Sequence, residues 1–352
     1  MSTIQINSLN QRKKDILQAV VNSYLKSGEP VGSKCLAEEF NISSATIRNE
    51  MASMSELGLL LQPHTSSGRI PSDLGYRLFL DHIMQKPVLN ENEKKILDDA
   101  LNLHAYEPER LIENVASALT EITRYAVMTS LPSGSGSIVK GVQFVQTSRR
   151  TAMIILMTSI GTMETQVFKC NFDVTPDLMR IFFRVFNNKI AGMPVDSITP
   201  SLISQMASSL EGDVAMVMSP ALVALLQVAR DSVRAKIHLD GETKLLFYKE
   251  FTPQSLRLIV DFLESKREMN ALLFQPTEKS CNNVKVFIGR ENLRDELNNA
   301  SMLMTEYIVN GQNAGTIGVI GPTRMDYAKV IACLEYLSKQ VGDMLTDLLL
   351  VE

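Results

Sequence analysis

Residues Phe40 to Pro71 read FNISSATIRNEMASMSELGLLLQPHTSSGRIP. Within SATIRNEMASMSELG the apolar residues Ile47, Met51, Met54 and Leu57 step by four, three and three, which sets them on one stripe of a helix facing a core. Ser43 or Ser44 caps that helix, because a hydroxyl there accepts from the free amides of the first turn. Ser44, Thr46, Arg48, Asn49 and Ser53 are left on the outer side. A helix entering the major groove needs short side chains for close approach and a few groups that read base edges; Arg suits guanine and Asn suits adenine. Gly58 ends the helix, LLLQ reads as a strand, and PHTSSGR forms a hairpin tip in which Gly68 permits a tight turn. On that tip His64, Ser66, Ser67 and Arg69 place an imidazole, hydroxyls and a guanidinium where a phosphate or the minor groove would lie. Taken alone, Arg48 and Asn49 would be ordinary surface residues. Helix, turn, helix and wing in this order point to a winged helix that binds duplex DNA.

Upstream, Ile16, Val20 and Tyr24, with Leu17, Val21 and Leu25 beside them, recur at helical spacing between Leu9 and Lys26, and Gly28 supplies a stop. Arg12, Lys13 and Lys14 crowd the start of this helix, where its dipole disfavours cations, so phosphate contact competes with a solvated face as their reason. Ser33 can cap a short helix, KCLAEEF, and Asn41 tolerates the left-handed backbone of a turn.

The chain has 352 residues, room for two or three domains, and a net charge of −4. Residues 1–80 hold eight Lys/Arg against seven Asp/Glu, so DNA contacts must come from a few placed cations. Cys35, Cys170, Cys281 and Cys333 lie far apart without ligand spacing, the pattern of reduced thiols in the cytoplasm. The longest apolar runs, such as 152–157, are far shorter than a bilayer requires, so no membrane segment is expected. His64, His82, His104 and His238 are isolated from one another, GTIGVIGPTR lacks both the phosphate-loop lysine and the full dinucleotide fingerprint, and no serine sits in a nucleophile elbow. Neither catalysis nor a metal or cofactor is expected.

In the remainder, SDLGYRLFLDHIM (72–84) reads as a helix leaving the wing, residues 85–92 as a linker, and PERLIENVASALTEITRYAVMTS as one long helix opening at Pro108. LPSGSGS follows as a surface loop. IVKGVQFVQ, TAMIILMTS and METQVFKC read as strands joined by short turns, PDLMRIFFRVFNN as a helix, and VKVFIG, SMLMTEYIV and AGTIGVIG as three more strands before a helix from Met325 to Leu350. These give an α+β antiparallel sheet domain in two parts, 93–190 and 271–352, with a block at 191–270 in which DVAMVMS and KLLFYK read as strands between helices.

SSATIRNEM, ELGLL and HTSSGRIPSDLGYR at 64–77, together with GTIGVIGPTRMDY at 315–327, resemble the bacterial heat-inducible transcription repressor HrcA family over nearly the whole chain. The resemblance implies a winged helix at 1–84, a GAF-like sheet domain, and an inserted α/β domain at 191–270 that takes part in dimerisation. It also implies a homodimer bound to an inverted-repeat operator ahead of chaperone operons, its active state maintained by the GroEL chaperonin. Carried over residue by residue, the DNA-reading segment falls on Ser43 to Asn49 and the wing on His64 to Arg69. A rival keeps the DNA-binding end and makes the GAF-like domain the sensor of a small metabolite, with Arg324 and Tyr327 either anchoring the turn into the last helix or facing a pocket; such a ligand rests on the fold alone.

Overall fold

The computed structural model describes residues 9–64, 67–85, 88–103, 107–130, 137–210, 212–233, 236–265, 268–269, 280–281, 283–292 and 294–350. The amino-terminal head follows the sequence closely. Helix α1 (Gln11–Ser27) starts at Asn10, whose side chain accepts from the Lys13 amide at 2.9 Å, and stops at left-handed Gly28. Helix α2 (Ser33–Phe40) ends at left-handed Asn41, and α3 (Ser44–Glu56) is capped by Ser43. Ser33 is not the α2 cap: Gly32 occupies that position, and the Ser33 hydroxyl instead lies 3.0 Å from that of Ser44, tying α2 to α3. Strands β1 (Leu60–Leu61) and β2 (Ile70–Pro71) pair antiparallel as the stem of the wing, and α4 (Asp73–His82) leaves it. Ile16, Leu17, Val20, Leu36, Ile47 and Met54 are fully buried where these elements cross.

Helix α5 (Glu91–Asn102) opens with a reciprocal capping box between Asn90 and Glu93. Helix α6 (Pro108–Thr123) is shorter than expected: Arg124 takes a left-handed φ of 65°, and β3 (Ala126–Ser130) follows. The run Tyr125 to Ser130 is rich in aromatic, β-branched and apolar residues and is buried on both faces, so a central strand competes successfully with continued helix.

The six expected strands do not make one sheet. Strands β4 (Val139–Ser148), β5 (Thr151–Thr158) and β6 (Met163–Lys169) pair only with one another, in the order β4-β5-β6. Helices α7 (Pro176–Ile190), α8 (Pro200–Ser208) and α9 (Gly212–Val233) complete this unit around its own core, which contains Val142, Ile154, Phe182, Phe186 and Leu225. The expected boundary at 190/191 therefore falls inside one packed body. DVAMVMS, expected as a strand, is the first half of α9, with Pro220 inside the helix. Among the described residues, Val214–Val233 is long and apolar enough to cross a membrane by length and composition, contrary to expectation. Its Met218, Leu222, Leu225 and Val228 are buried in the core of the three-stranded unit, the ordinary reason for an apolar helix.

The chain then returns with β7 (Ile237–Asp240), α10 (Pro253–Glu264), β8 (Ser280–Cys281), β9 (Val284–Ile288), β10 (Ala300–Val309), β11 (Gln312–Pro322) and α11 (Tyr327–Leu350). KLLFYK is not a strand; Glu242–Phe247 is a 3-10 turn that carries Leu245 into the core. The large sheet is antiparallel throughout, in the order β7-β3-β11-β10-β9-β8. The burial patterns show why the strands segregate. Strand β10 is covered on both sides, whereas β5 alternates between fully buried and half-exposed residues, so the two cannot share neighbours of one kind. One face of the large sheet, with Val127, Leu303 and Val319, joins α6 and α11 and runs without a break into the core of the head. The other face, with Met128, Met302 and Ile320, packs on Ile259 and Phe262 of α10.

Of the described thiols, Cys35 is exposed while Cys170 and Cys333 are buried. Burial raises the Cys170 thiol and pushes that of Cys333 up to about 12. A thiolate-selective reagent at neutral pH should modify Cys35 in the folded chain, and reach Cys170 and Cys333 only after denaturant is added, as read by intact mass. Rapid modification of Cys333 in the native protein would contradict this packing.

Candidate nucleic-acid interface

Helix α3 shows its outer side as the sequence reading requires, with Arg48 and Asn49 exposed and Ile47 buried behind them. Ser43 and Thr46 are partly occupied with each other: the Ser43 hydroxyl accepts from the Thr46 amide at 3.1 Å and lies 2.8 Å from its hydroxyl. Ser44 holds Ser33. These hydroxyls set the start of the helix as well as lining it.

The wing is a small turn built by Ser67. Its hydroxyl donates to the His64 carbonyl at 2.7 Å and accepts from the His64 amide at 3.0 Å, and the Ser67 amide donates to the same carbonyl. His64 is exposed, and Ser66 lies outside the described residues. Behind the tip, Arg69 exchanges both backbone hydrogen bonds with Val31, each 2.9 Å, so the wing is fastened to the loop between α1 and α2. Gly68 allows that fastening by its lack of a side chain. A Cβ there would stand 2.3 Å from the Val31 carbonyl oxygen, so close backbone approach, not the turn, requires glycine at this position.

Between the start of α2, the outer side of α3 and the wing runs a groove of about 480 Å³, lined by Lys34, Arg48, Gln62, Ser67 and Arg69 among others. Among the described residues no carboxylate lines it. Among the described residues no ion pair engages Lys34, Arg48 or Arg69, and the buried Nε of Arg69 has no protein partner. The first turn of α2, where Gly32 offers no side-chain cap, also adds the positive end of a helix dipole to this wall. The arrangement concentrates positive potential in a chain of net charge −4. Sequence reasoning missed Lys34; its place in the first turn of α2, two residues after a glycine that gives no side-chain cap, is the signal that could have found it. Of the amino-terminal cations, Lys13 donates to the Ser53 hydroxyl of α3 at 2.9 Å and so braces the two helices, Lys14 is half-buried, and Arg12 is exposed.

Residues 8–80 match the family described as winged helix-turn-helix transcription repressor, HrcA DNA-binding, and residues 109–331 match the HrcA protein C terminal domain. The chain belongs to the HrcA family. It is 32% identical over 342 residues to the heat-inducible transcription repressor HrcA of Acetivibrio thermocellus, covering 95% of this chain and 96% of that one. It is 31% identical over 344 residues to the HrcA of Halalkalibacterium halodurans, covering 97% and 98%. A solved structure described as a hypothetical protein at 2.2 Å resolution shares the fold, with a TM-score of 0.63 and 21% identity over 97% of this chain and 100% of that one. As an HrcA protein the chain is a winged-helix transcription repressor and not an enzyme. The two HrcA signature stretches have visible structural work. Ser72 caps α4 and donates to the Gly58 carbonyl, and Tyr76 packs against Tyr327 with ring centroids 5.5 Å apart and the rings tilted by 51°. Gly318, in the run expected as a strand, makes room for Met128 of the adjoining strand.

Proposed function

We propose that this chain is a homodimeric, cytoplasmic repressor of heat-shock chaperone operons that reads an inverted-repeat operator and is kept active by the GroEL chaperonin. The observation that carries the DNA reading is the groove bordered by three uncompensated cations with no carboxylate in its lining. Arg48 and Asn49 read base edges in the major groove, with Thr46 at the helix start; Arg69, Lys34 and Lys14 hold phosphates; His64 and the wing serines follow the neighbouring groove. Ser43, Ser44 and Lys13 shape the reading helix and meet the backbone at its start.

Pairing is assigned to the unit formed by residues 137–233. On the sheet face turned away from α7 and α9, Met153 pairs with Val145 and Val167, and Met157 with Met163; Val167 is 53% and Met163 66% exposed. Such an apolar face supports self-association. Maintenance by GroEL rests on family membership, because a repressor that loses its fold on heating needs a refolding agent to act again.

Arg48→Ala should relax base preference at one position of each half-site by about 1–3 kcal/mol, whereas Arg69→Ala should weaken every duplex alike and lower the salt dependence of binding. Competition binding against single-base operator variants reads the difference, and an equal loss on all DNA for Arg48→Ala would remove it from base reading. For the chaperonin, heat-treated protein should regain operator binding with GroEL, its co-chaperonin and ATP, and remain inactive without them.

A further inference from the structure

The two stretches that carry the family signature outside the groove, Ser72–Arg77 and Gly321–Tyr327, meet at the joint between the head and the large sheet. Neither lines the DNA groove. Two arginines cross this joint in opposite directions. Arg77, on α4 of the head, donates to the Val286 carbonyl of β9 at 2.6 Å and forms an ion pair with Glu291 of the body. Arg324, in the turn after β11 of the body, donates to the Leu25 carbonyl in the last turn of α1 at 3.1 Å, forms an ion pair with Glu250, and lies 5.9 Å from the ring centroid of Tyr24. Each guanidinium therefore grips a backbone carbonyl of one unit and a carboxylate, at two separate points on the head. The side chains of both pairs are largely covered. A guanidinium has the planar, multi-donor geometry to hold such a carbonyl and carboxylate together.

We infer that Arg77 and Arg324 are positioning residues for operator binding: they fix the angle of the head to the body, so that two reading helices in a dimer face half-sites at one spacing only. This rests on the dimeric reading proposed above. The apolar core shared by head and body is non-directional and holds the two together, whereas two directional clamps on α1 and α4 define the orientation of the head. The clamps act on geometry and touch no DNA, so they govern the advantage of two half-sites over one and not the affinity of a single head.

The test uses the full chain with the double substitution Arg77→Gln and Arg324→Gln. On a duplex carrying one half-site the variant should bind within about twofold of the unaltered protein, while on the inverted repeat it should lose about tenfold or more, the gain due to tethering. Inserting about five base pairs, half a helical turn, between the half-sites should penalise the unaltered protein and leave the variant nearly indifferent. Spin labels on exposed Cys35 and on Arg257→Cys of α10, in a Cys281→Ser background and diluted with unlabelled chain, should give one narrow distance in the unaltered protein and a broad distribution in the variant. An unchanged distribution with unchanged spacing dependence would overturn the inference. Equal loss on half-site and inverted repeat would overturn it too, since the arginines would then serve the fold of the head itself. If the unaltered protein is a monomer indifferent to spacing, the dimeric reading fails, and the width of the distance distribution alone decides the clamp.

Discussion

Gly68→Val is expected to remove DNA binding on every duplex while leaving most of the chain folded. The obstruction is backbone against backbone: a Cβ at this position meets the Val31 carbonyl oxygen at 2.3 Å and the Pro30 carbonyl oxygen at 2.8 Å, and no rotamer relieves either contact. The two hydrogen bonds between Val31 and Arg69 must break, and the wing must swing away from the start of α2. Overpacking of this kind costs about 1–3 kcal/mol. The functional loss should be larger than the loss in stability, because Arg69 leaves the groove that it shares with Lys34 and Arg48. Fluorescence anisotropy with operator and with random duplex, alongside thermal unfolding, measures both. Retained binding with a normal melting curve would mean that the wing is not held to the head in the way described.

The second large effect is expected from Phe182→Ala. Phe182 is fully buried, and its ring lies 5.5 Å from that of Phe144 in a T-shaped contact and 6.4 Å from those of Phe168 and Phe186. Truncating a buried phenylalanine costs about 3–5 kcal/mol, comparable to the whole stability of a small unit. The core that contains it spans Val139 to Ala229 and includes no residue of the head or of the large sheet. The expected outcome is an early unfolding transition in the three-stranded unit, a shift from dimer to monomer in sedimentation, and loss of the inverted-repeat advantage with half-site binding retained. A single transition with an intact dimer would place self-association elsewhere.

The head was legible because its determinants are local. Gly28, Asn41 and Ser43 sit at helix ends, the period of Ile47, Met51 and Met54 is helical, and a short hairpin follows at once. What escaped the reading there depends on contacts between elements: Ser33 facing Ser44, Lys13 reaching Ser53, Lys34 entering the groove, and Gly68 yielding space to Val31. In the body the strands themselves were mostly visible, but their partners were not, because pairing is settled by residues far away in the chain. Strand β3 was hidden behind α6, since Arg124 adopts a left-handed conformation usually signalled by glycine or asparagine. Proline favours the first turn of a helix, so Pro220 makes the residues before it read as a strand, whereas α9 carries Pro220 within and accepts the loss of one backbone bond. Strand β7 is four residues long and half-buried, too short for its alternation to be distinctive.

One apolar core reaches from Leu9 and Ile16 in the head, through Tyr76 and Leu119, to Tyr327 and Leu345 at the far helix. Elements packed on one core are expected to lend one another stability. Loosening α11 or the large sheet by heat is thus expected to withdraw support from helix α3 as well, which hydrogen exchange followed through a temperature ramp would read. The two ends of the molecule would then lose their common ground together, and regain it together on refolding.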